Sequence, residues 1–207
     1  MARRTKEDAQ LTRHSLLDAA ELLFQAQGVS RTSLNDIARQ AGTSRGAIYW
    51  HFKDKADLFN AMMERVTLPL EQAFQNIGQQ SPSEPLAHVR AAMLKALQHI
   101  ATDARTRRVF EVATRKMEYL DELQAVHLRH LRVRNDFVAQ LEQGLKLAAT
   151  AQKLNMPVAT THAAQGLHAM VDGLIQNWLL DTQAFDLRTT GELVIDVYLK
   201  GLGFRLD

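Results

Sequence analysis

Apolar positions recur at helical spacing along almost the whole chain, and none alternates with period two for long enough to build a strand. Leu16, Leu17, Ala20, Leu23 and Phe24 form a stripe that predicts a helix from near Lys6–Thr12 to Gln27, ended by Gly28. Leu34, Ile37, Ala38 and Ala41 then repeat at i, i+3, i+4, i+7, one face of a short helix with Ser33 and Asp36 placed as its capping box. Gly42 follows as the left-handed residue that stops this helix. Thr43 or Ser44 caps the next one, whose inner face is Ala47, Ile48 and Phe52. Two short helices joined by a tight glycine-containing turn make a helix-turn-helix over about 33–52.

Asp54, with Asp57 three residues on, marks the start of a long helix bearing Leu58, Phe59, Met62, Met63 and Val66. Pro69 is a place for a kink, after which the stripe resumes through Phe74 and Ile77. Gly78 to Pro85 is a loop, and five more helices are expected at 85–101, 104–118, 121–151, 158–181 and 187–203. The fold class is therefore all-α, with an N-terminal three-helix domain at 1–55 and a C-terminal helical domain at 56–207. Across 158–180 the only formal charge is Asp172, among Leu167, Met170, Val171, Leu174, Ile175, Trp178, Leu179 and Leu180. A helix apolar nearly all round is buried on more than one side. A second copy of the chain is one cover for it, beside 187–203 with its Leu193, Val194, Val197, Tyr198 and Leu202. This makes a four-helix homodimer interface, for which Leu167, Met170, Leu174, Trp178, Val194 and Tyr198 are the candidates. The other reading is the central core helix of a monomer.

Composition narrows the chemistry. With no Cys there is no disulfide, thiolate chemistry or Cys-ligated zinc. No apolar run reaches the roughly 18 residues that span a bilayer, and no secretory signal is evident, so a cytoplasmic location without membrane partners is expected. The net charge of +2 is uninformative, but residues 1–55 hold nine Lys/Arg against six acids, and the remainder 16 against 17. The basic excess sits with the helix-turn-helix, where a polyanion would bind.

The outer face of the second short helix suits double-stranded DNA. Arg45 can pair bidentately with guanine O6 and N7, worth about 1–3 kcal/mol of discrimination. Gly46 permits close approach at a cost of about 1 kcal/mol in helix propensity. Tyr49, Trp50 and His51 suit phosphates, Trp50 having a part-buried core position as its alternative. Lys55 adds a cation at the next helix start, while Thr32, Ser33, Thr43 and Ser44 sit where helix beginnings meet the DNA backbone. Arg3, Arg4 and Lys6 form a basic arm.

The run from Thr12-Arg13 through Leu17-Asp18-Ala19-Ala20, Gly28-Val29-Ser30-Arg31-Thr32-Ser33, Asp36-Ile37-Ala38 and Ala41 to Lys55 resembles the tetracycline-repressor (TetR) family. It is most similar to the branch of local repressors of multidrug efflux operons. The opening Met-Ala-Arg-Arg-Thr-Lys-Glu, Asp103 to Arg108, and Val171-Asp172-Gly173-Leu174-Ile175 with Trp178-Leu179-Leu180 share that likeness. The resemblance implies a three-helix DNA-binding head, a linking fourth helix, and dimerisation through the last two helices. It implies that Tyr49, His51 and Lys55 hold phosphates. It also implies an apolar ligand pocket in the C-terminal domain for a small hydrophobic or cationic effector, with Phe110, Glu111, Thr114, Phe137, Leu141, His168, Val171 and Asp172 as its candidates. Asp172 needs a partner or a raised pKa if it lies in apolar surroundings, and Arg134 or His168 are internal alternatives to a ligand. The implied activity is ligand-responsive repression from a palindromic operator, with no enzyme activity, cofactor or metal.

Three other readings rank lower. Gly42-Thr43-Ser44-Arg45-Gly46 matches the hydrolase G-x-S-x-G pattern, but that motif needs a preceding strand. His127 and His130 have the spacing of a helical metal pair without further ligands nearby. Arg105, Arg107, Arg108, Arg115 and Lys116 read better as a face bonded to neighbouring acids than as a second nucleic-acid patch. A DNA-binding regulator without a small-molecule switch is the remaining alternative.

Overall fold

Helix α1 (Lys6–Gln27) stops at Gly28, whose φ of +87° suits the residue without a side chain. The computed structural model describes residues 6–75, 84–118 and 121–206, and its helical elements are α2 (Leu34–Gln40), α3 (Arg45–His51), α4 (Lys55–Gln75), α5 (Pro85–Thr102), α6 (Ala104–Arg115), a single 3-10 turn (Asp121–Leu123), α7 (Gln124–Ala151), α8 (Thr160–Leu180) and α9 (Leu187–Gly201). Among the described residues there is no strand, as the helical periodicity requires. Arg3, Arg4, Ile77, the expected loop from Gly78 as far as residue 83 and the expected break at Tyr119-Leu120 lie outside the described residues.

Two units result. One holds the residues up to Thr67 together with Arg108–Leu131; the other holds Leu68–Arg107 and Arg132 onward. The unit with the helix-turn-helix thus extends beyond 1–55. Its core explains why: Leu16, Phe24, Ile37, Ile48, Phe52, Leu58 and Phe59 pack with Val109, Val112, Leu123 and Val126 in one buried cluster. The rings of Phe24 and Phe59 tilt at 6.0 Å. Three short helices alone bury little apolar area, and the added segments from α6 and α7 enlarge the core. A buried carboxylate crosses this unit as well. Glu21, 1% exposed, meets Arg65 of α4 and, at 3.5 Å, Arg108 of α6. Arg65 also pairs with Asp18 at 2.8 Å.

Helix α4 runs unbroken through Pro69. Proline removes the hydrogen bond to the carbonyl of Arg65, yet the helix continues on both sides. In the second unit α9 packs on α5 and α8. Gly191 lies so close to Leu97 that a Cβ there would sit 2.3 Å from its Cδ1. Arg90 of α5 reaches Asp196 at 2.6 Å and Glu192 at 2.7 Å on α9. These two carboxylates push the guanidinium pKa further up, and the Arg90 bonds hold Asp196 below the usual carboxylate range. Tyr198 donates its hydroxyl to the Ala163 carbonyl at 2.9 Å, and burial raises its pKa.

Candidate nucleic-acid interface

The reading helices are set by bonds three residues long. The Ser33 hydroxyl accepts the Asp36 N–H at 3.2 Å while the Asp36 carboxylate accepts the Ser33 N–H at 3.2 Å, the expected capping box. The Ser33 bonds, aided by Arg39, lower the pKa of Asp36. The turn follows at Gly42, φ +65°, with the Thr43 N–H donated back to the Ala38 carbonyl at 2.9 Å. Of the two candidate caps for α3, Ser44 holds the position, accepting the Ala47 N–H at 3.2 Å. The Gly-x-Ser-x-Gly run is therefore a turn and a cap between two helices, with no strand before it.

Helix α3 keeps Ile48 fully buried and leaves its other side open. Arg45 and Gly46 are exposed, Tyr49 is 48% exposed and Trp50 73%. The exposure of Trp50 removes the core alternative for it. Its ring meets His51 edge-on at 4.6 Å, and the Arg45 guanidinium lies 5.7 Å from the Tyr49 ring centroid. Behind α3, Arg13 covers the Phe52 ring at 5.2 Å. The next helix starts as expected at Asp54, whose carboxylate accepts the Asp57 N–H at 2.8 Å, while that of Asp57 accepts the Lys53 N–H at 2.9 Å.

Two candidates also have partners within the chain. Thr32 is 1% exposed, donates its hydroxyl to the Gly28 carbonyl at 2.7 Å and accepts Gln27 Nε2 at 3.1 Å. It fastens the α1–α2 loop and offers no free hydroxyl to a phosphate. The Lys55 side chain is 14% exposed, and its ammonium bonds the carbonyls of Val29 and Ser30 and the carboxylate of Glu122. Its sequence position beside the recognition helix gave no sign of these partners.

Comparison with known proteins decides the family. The pattern of the bacterial regulatory proteins of the tetR family matches residues 16–62, and that of the MAATS-type transcriptional repressor C-terminal region matches 84–204. The regulator AcrR of Shigella flexneri is 36% identical over 96% of this chain and 94% of its own length. The chain belongs to the TetR family. It is a DNA-binding transcriptional regulator, not an enzyme. Among solved TetR-family structures, NalD of Pseudomonas aeruginosa, a secondary repressor of the MexAB-OprM multidrug efflux pump, superposes with TM-score 0.86 at 36% identity, covering 94% of this chain and 98% of that one. SmeT of Stenotrophomonas maltophilia, in complex with triclosan, superposes with TM-score 0.84 at 31% identity over 92% and 91% of the two chains.

The ligand-site candidates fall in both units. Phe110, Glu111 and Thr114 belong to the unit with the helix-turn-helix. There Glu111 accepts Gln25 Nε2 at 2.9 Å, Thr114 donates to the Phe110 carbonyl at 2.8 Å, and Phe110 packs on the core. Phe137, Leu141, His168, Val171 and Asp172 belong to the other unit. Phe137 and His168 meet with ring centroids 5.6 Å apart, and Leu141 and Val171 are buried. Asp172 is exposed rather than set in apolar surroundings, and it accepts an amide N–H from Gln176. Leu167, Val171, Ile175 and Trp178 turn inward on α8, so 172, 176 and 177 must turn out. Arg134 bonds Asn135 and Gln165.

The same periodicity sorts the dimer candidates by burial. Leu167 and Trp178 are buried within their own chain, and Met170, Leu174, Val194 and Tyr198 are half-buried. On α8 and α9 the exposed large apolar side chains are Leu180 at 63%, Leu193 at 63% and Val197 at 71%. His127 and His130 are exposed, and among the described residues no group of three metal-ligating side chains occurs. Arg107 lies 6.0 Å from the Trp178 ring, and Arg108 serves Glu21, which suits the structural reading of that basic run. Among the described residues no helix is long and apolar enough to cross a membrane.

Proposed function

We propose that this chain is a cytoplasmic repressor of a multidrug efflux operon, binding a palindromic operator as a homodimer and released by a hydrophobic drug-like effector. The observation that carries the reading is the open face of α3, with Arg45, Tyr49 and Trp50 held out by a buried Ile48 and a capped, glycine-turned approach. Arg45 is the base reader, and Tyr49, Trp50 and His51 set register on phosphates with Ser33, Thr43, Ser44 and Gly46 beside them. The efflux assignment draws on the pumps controlled by NalD and SmeT, and the effector class on the triclosan bound by SmeT.

The homodimer reading is supported by Leu193 and Val197, one turn apart on α9, and Leu180 on α8, which a second copy would cover as a four-helix interface. Two recognition helices then meet successive turns of duplex about 34–36 Å apart. An effector that prefers a different spacing by about 1–3 kcal/mol weakens operator binding about 5–150-fold. Footprinting on a duplex recovered by selection from a random library tests this. Wild type protects an inverted repeat, triclosan removes the protection, and R45A loses discrimination among sequences by about 1–3 kcal/mol. Protection that no drug in a broad panel removes would leave a DNA-binding regulator without a small-molecule switch.

A further inference from the structure

Lys55 opens α4 four residues after His51 closes α3, and its ammonium rests against the chain that leads into α2. An ammonium has three donors and no acceptor. Two are directed at main-chain carbonyls, Val29 at 3.1 Å and Ser30 at 3.3 Å. The third meets Glu122 Oε1 at 3.0 Å. The three partners differ in how readily they can leave. The carbonyls belong to a loop fastened by the Val29 N–H on the Lys116 carbonyl and the buried Thr32 hydroxyl on the Gly28 carbonyl. The Glu122 side chain is 51% exposed, so water can receive its carboxylate, whereas the Lys55 side chain is 14% exposed and stays in place. One anionic ligand position on a fixed cation is thus open to exchange.

We propose that the Glu122 carboxylate stands in for a DNA phosphate on Lys55 and is displaced when the duplex docks. The proposal rests on the DNA-binding reading above and adds an intramolecular competitor to it. Lys55 follows the exit from α3 and its ammonium bonds the loop that enters α2, so it sits where the two ends of the helix-turn-helix meet, and a backbone phosphate arriving there finds a preset ammonium. In the free protein the carboxylate neutralises that seat and excludes solution anions. On DNA the two carbonyl bonds persist and only the third donor changes partner. Glu122 precedes Leu123, which is fully buried in the same core, so its backbone stays in register while the side chain turns away.

The test is E122Q, measured by fluorescence anisotropy on the selected duplex and on a scrambled duplex of equal length across a salt series. Removing an exposed competitor should tighten binding about 2- to 5-fold per head on both duplexes. It should steepen the dependence on log salt by up to about one ion per head. In a K55Q background the E122Q gain should vanish. Because K55Q also loses two carbonyl bonds and can unfold, phosphate-ethylation interference gives an independent readout: one ethylated phosphate per half-site should abolish the advantage of E122Q. Unchanged affinity on both duplexes, or a gain that survives both K55Q and every ethylation, overturns the proposal. Failure of the operator reading looks different, since wild type would then fail to distinguish the selected duplex from the scrambled one.

Discussion

The unit with the helix-turn-helix and the unit with α8 and α9 are ordered over different distances along the chain. In the first, the reading helices are positioned by Ser33 with Asp36, Ser44 with Ala47 and Asp54 with Asp57, each three residues apart. In the second, α5 is joined to α9 by Arg90 with Glu192 and Asp196, 102 and 106 residues away. The difference teaches that the ends of a helix presented to a duplex can be fixed by its immediate neighbours, even where its buried face rests on a wider core. What a helix presents to a ligand or a second chain depends on which distant elements have already covered its other faces.

The contrast breaks first at Glu21, because the locally capped unit also holds this strongly buried charge through residues far away. Replacing it by Ala would leave Arg65, 17% exposed, and Arg108 without their shared carboxylate. Breaking a buried ion pair from one side costs about 3–5 kcal/mol, and the partial exposure of both arginines and the remaining Asp18 place the expected loss at about 3 kcal/mol. Urea denaturation of E21A reads it. A loss below 1 kcal/mol would mean that the caps and apolar core suffice and that the long-range pair is incidental.

The second unit offers the matching break in α9. In G191A the new Cβ meets Leu97 Cδ1 at 2.3 Å, and Leu97 is itself fully buried. The methyl displacement it forces should cost about 1–3 kcal/mol in thermal or urea unfolding. The loss should be present whether or not DNA is bound, since no reading residue is touched. Wild-type stability in G191A would show that α5 and α9 can separate cheaply, and that their distant ion pairs rather than close packing hold them.

Legibility in the sequence follows the same division. Both helices of the helix-turn-helix, the left-handed Gly42 and the capping box were readable because each signal lies within four residues of what it shapes. Trp50 needed the structure to show it exposed, since periodicity alone left it on the margin of the inner face. Lys55 looked like a free cation because its partner Glu122 is remote in sequence, and nothing around Glu122 marks it. The exposure of Asp172 is hard to read for a different reason. Composition says that α8 is apolar, but direction comes from spacing. Leu167, Val171, Ile175 and Trp178 claim the inward face and leave Asp172 with Gln176 outside. The same spacing brings out Leu193 and Val197 rather than Val194 and Tyr198.

The smallest effect, and the one that sharpens the comparison most, is the pH dependence of the Arg90 bridge. Asp36 and Asp196 both have carboxyls held below the ordinary value of 3.8, the first by its neighbour Ser33, the second by Arg90 from another helix. A lowered folded pKa means that the unfolded chain binds more protons, so the stabilisation is complete above about pH 4 and is lost as pH falls through the folded value. D196N removes the Arg90 pair while leaving Glu192 as a partner, so the guanidinium is not stranded. With both side chains about a quarter exposed, at 28% and 25%, the expected loss at pH 7 is only about 1 kcal/mol after allowance for solvent screening. The wild-type and D196N stabilities, measured by urea unfolding at successive pH values, should converge below pH 4. Parallel curves down to pH 2 would assign the D196N loss to packing rather than charge. The Asp196 part of the α5–α9 contact would then rest on fit, as Gly191 against Leu97 already does.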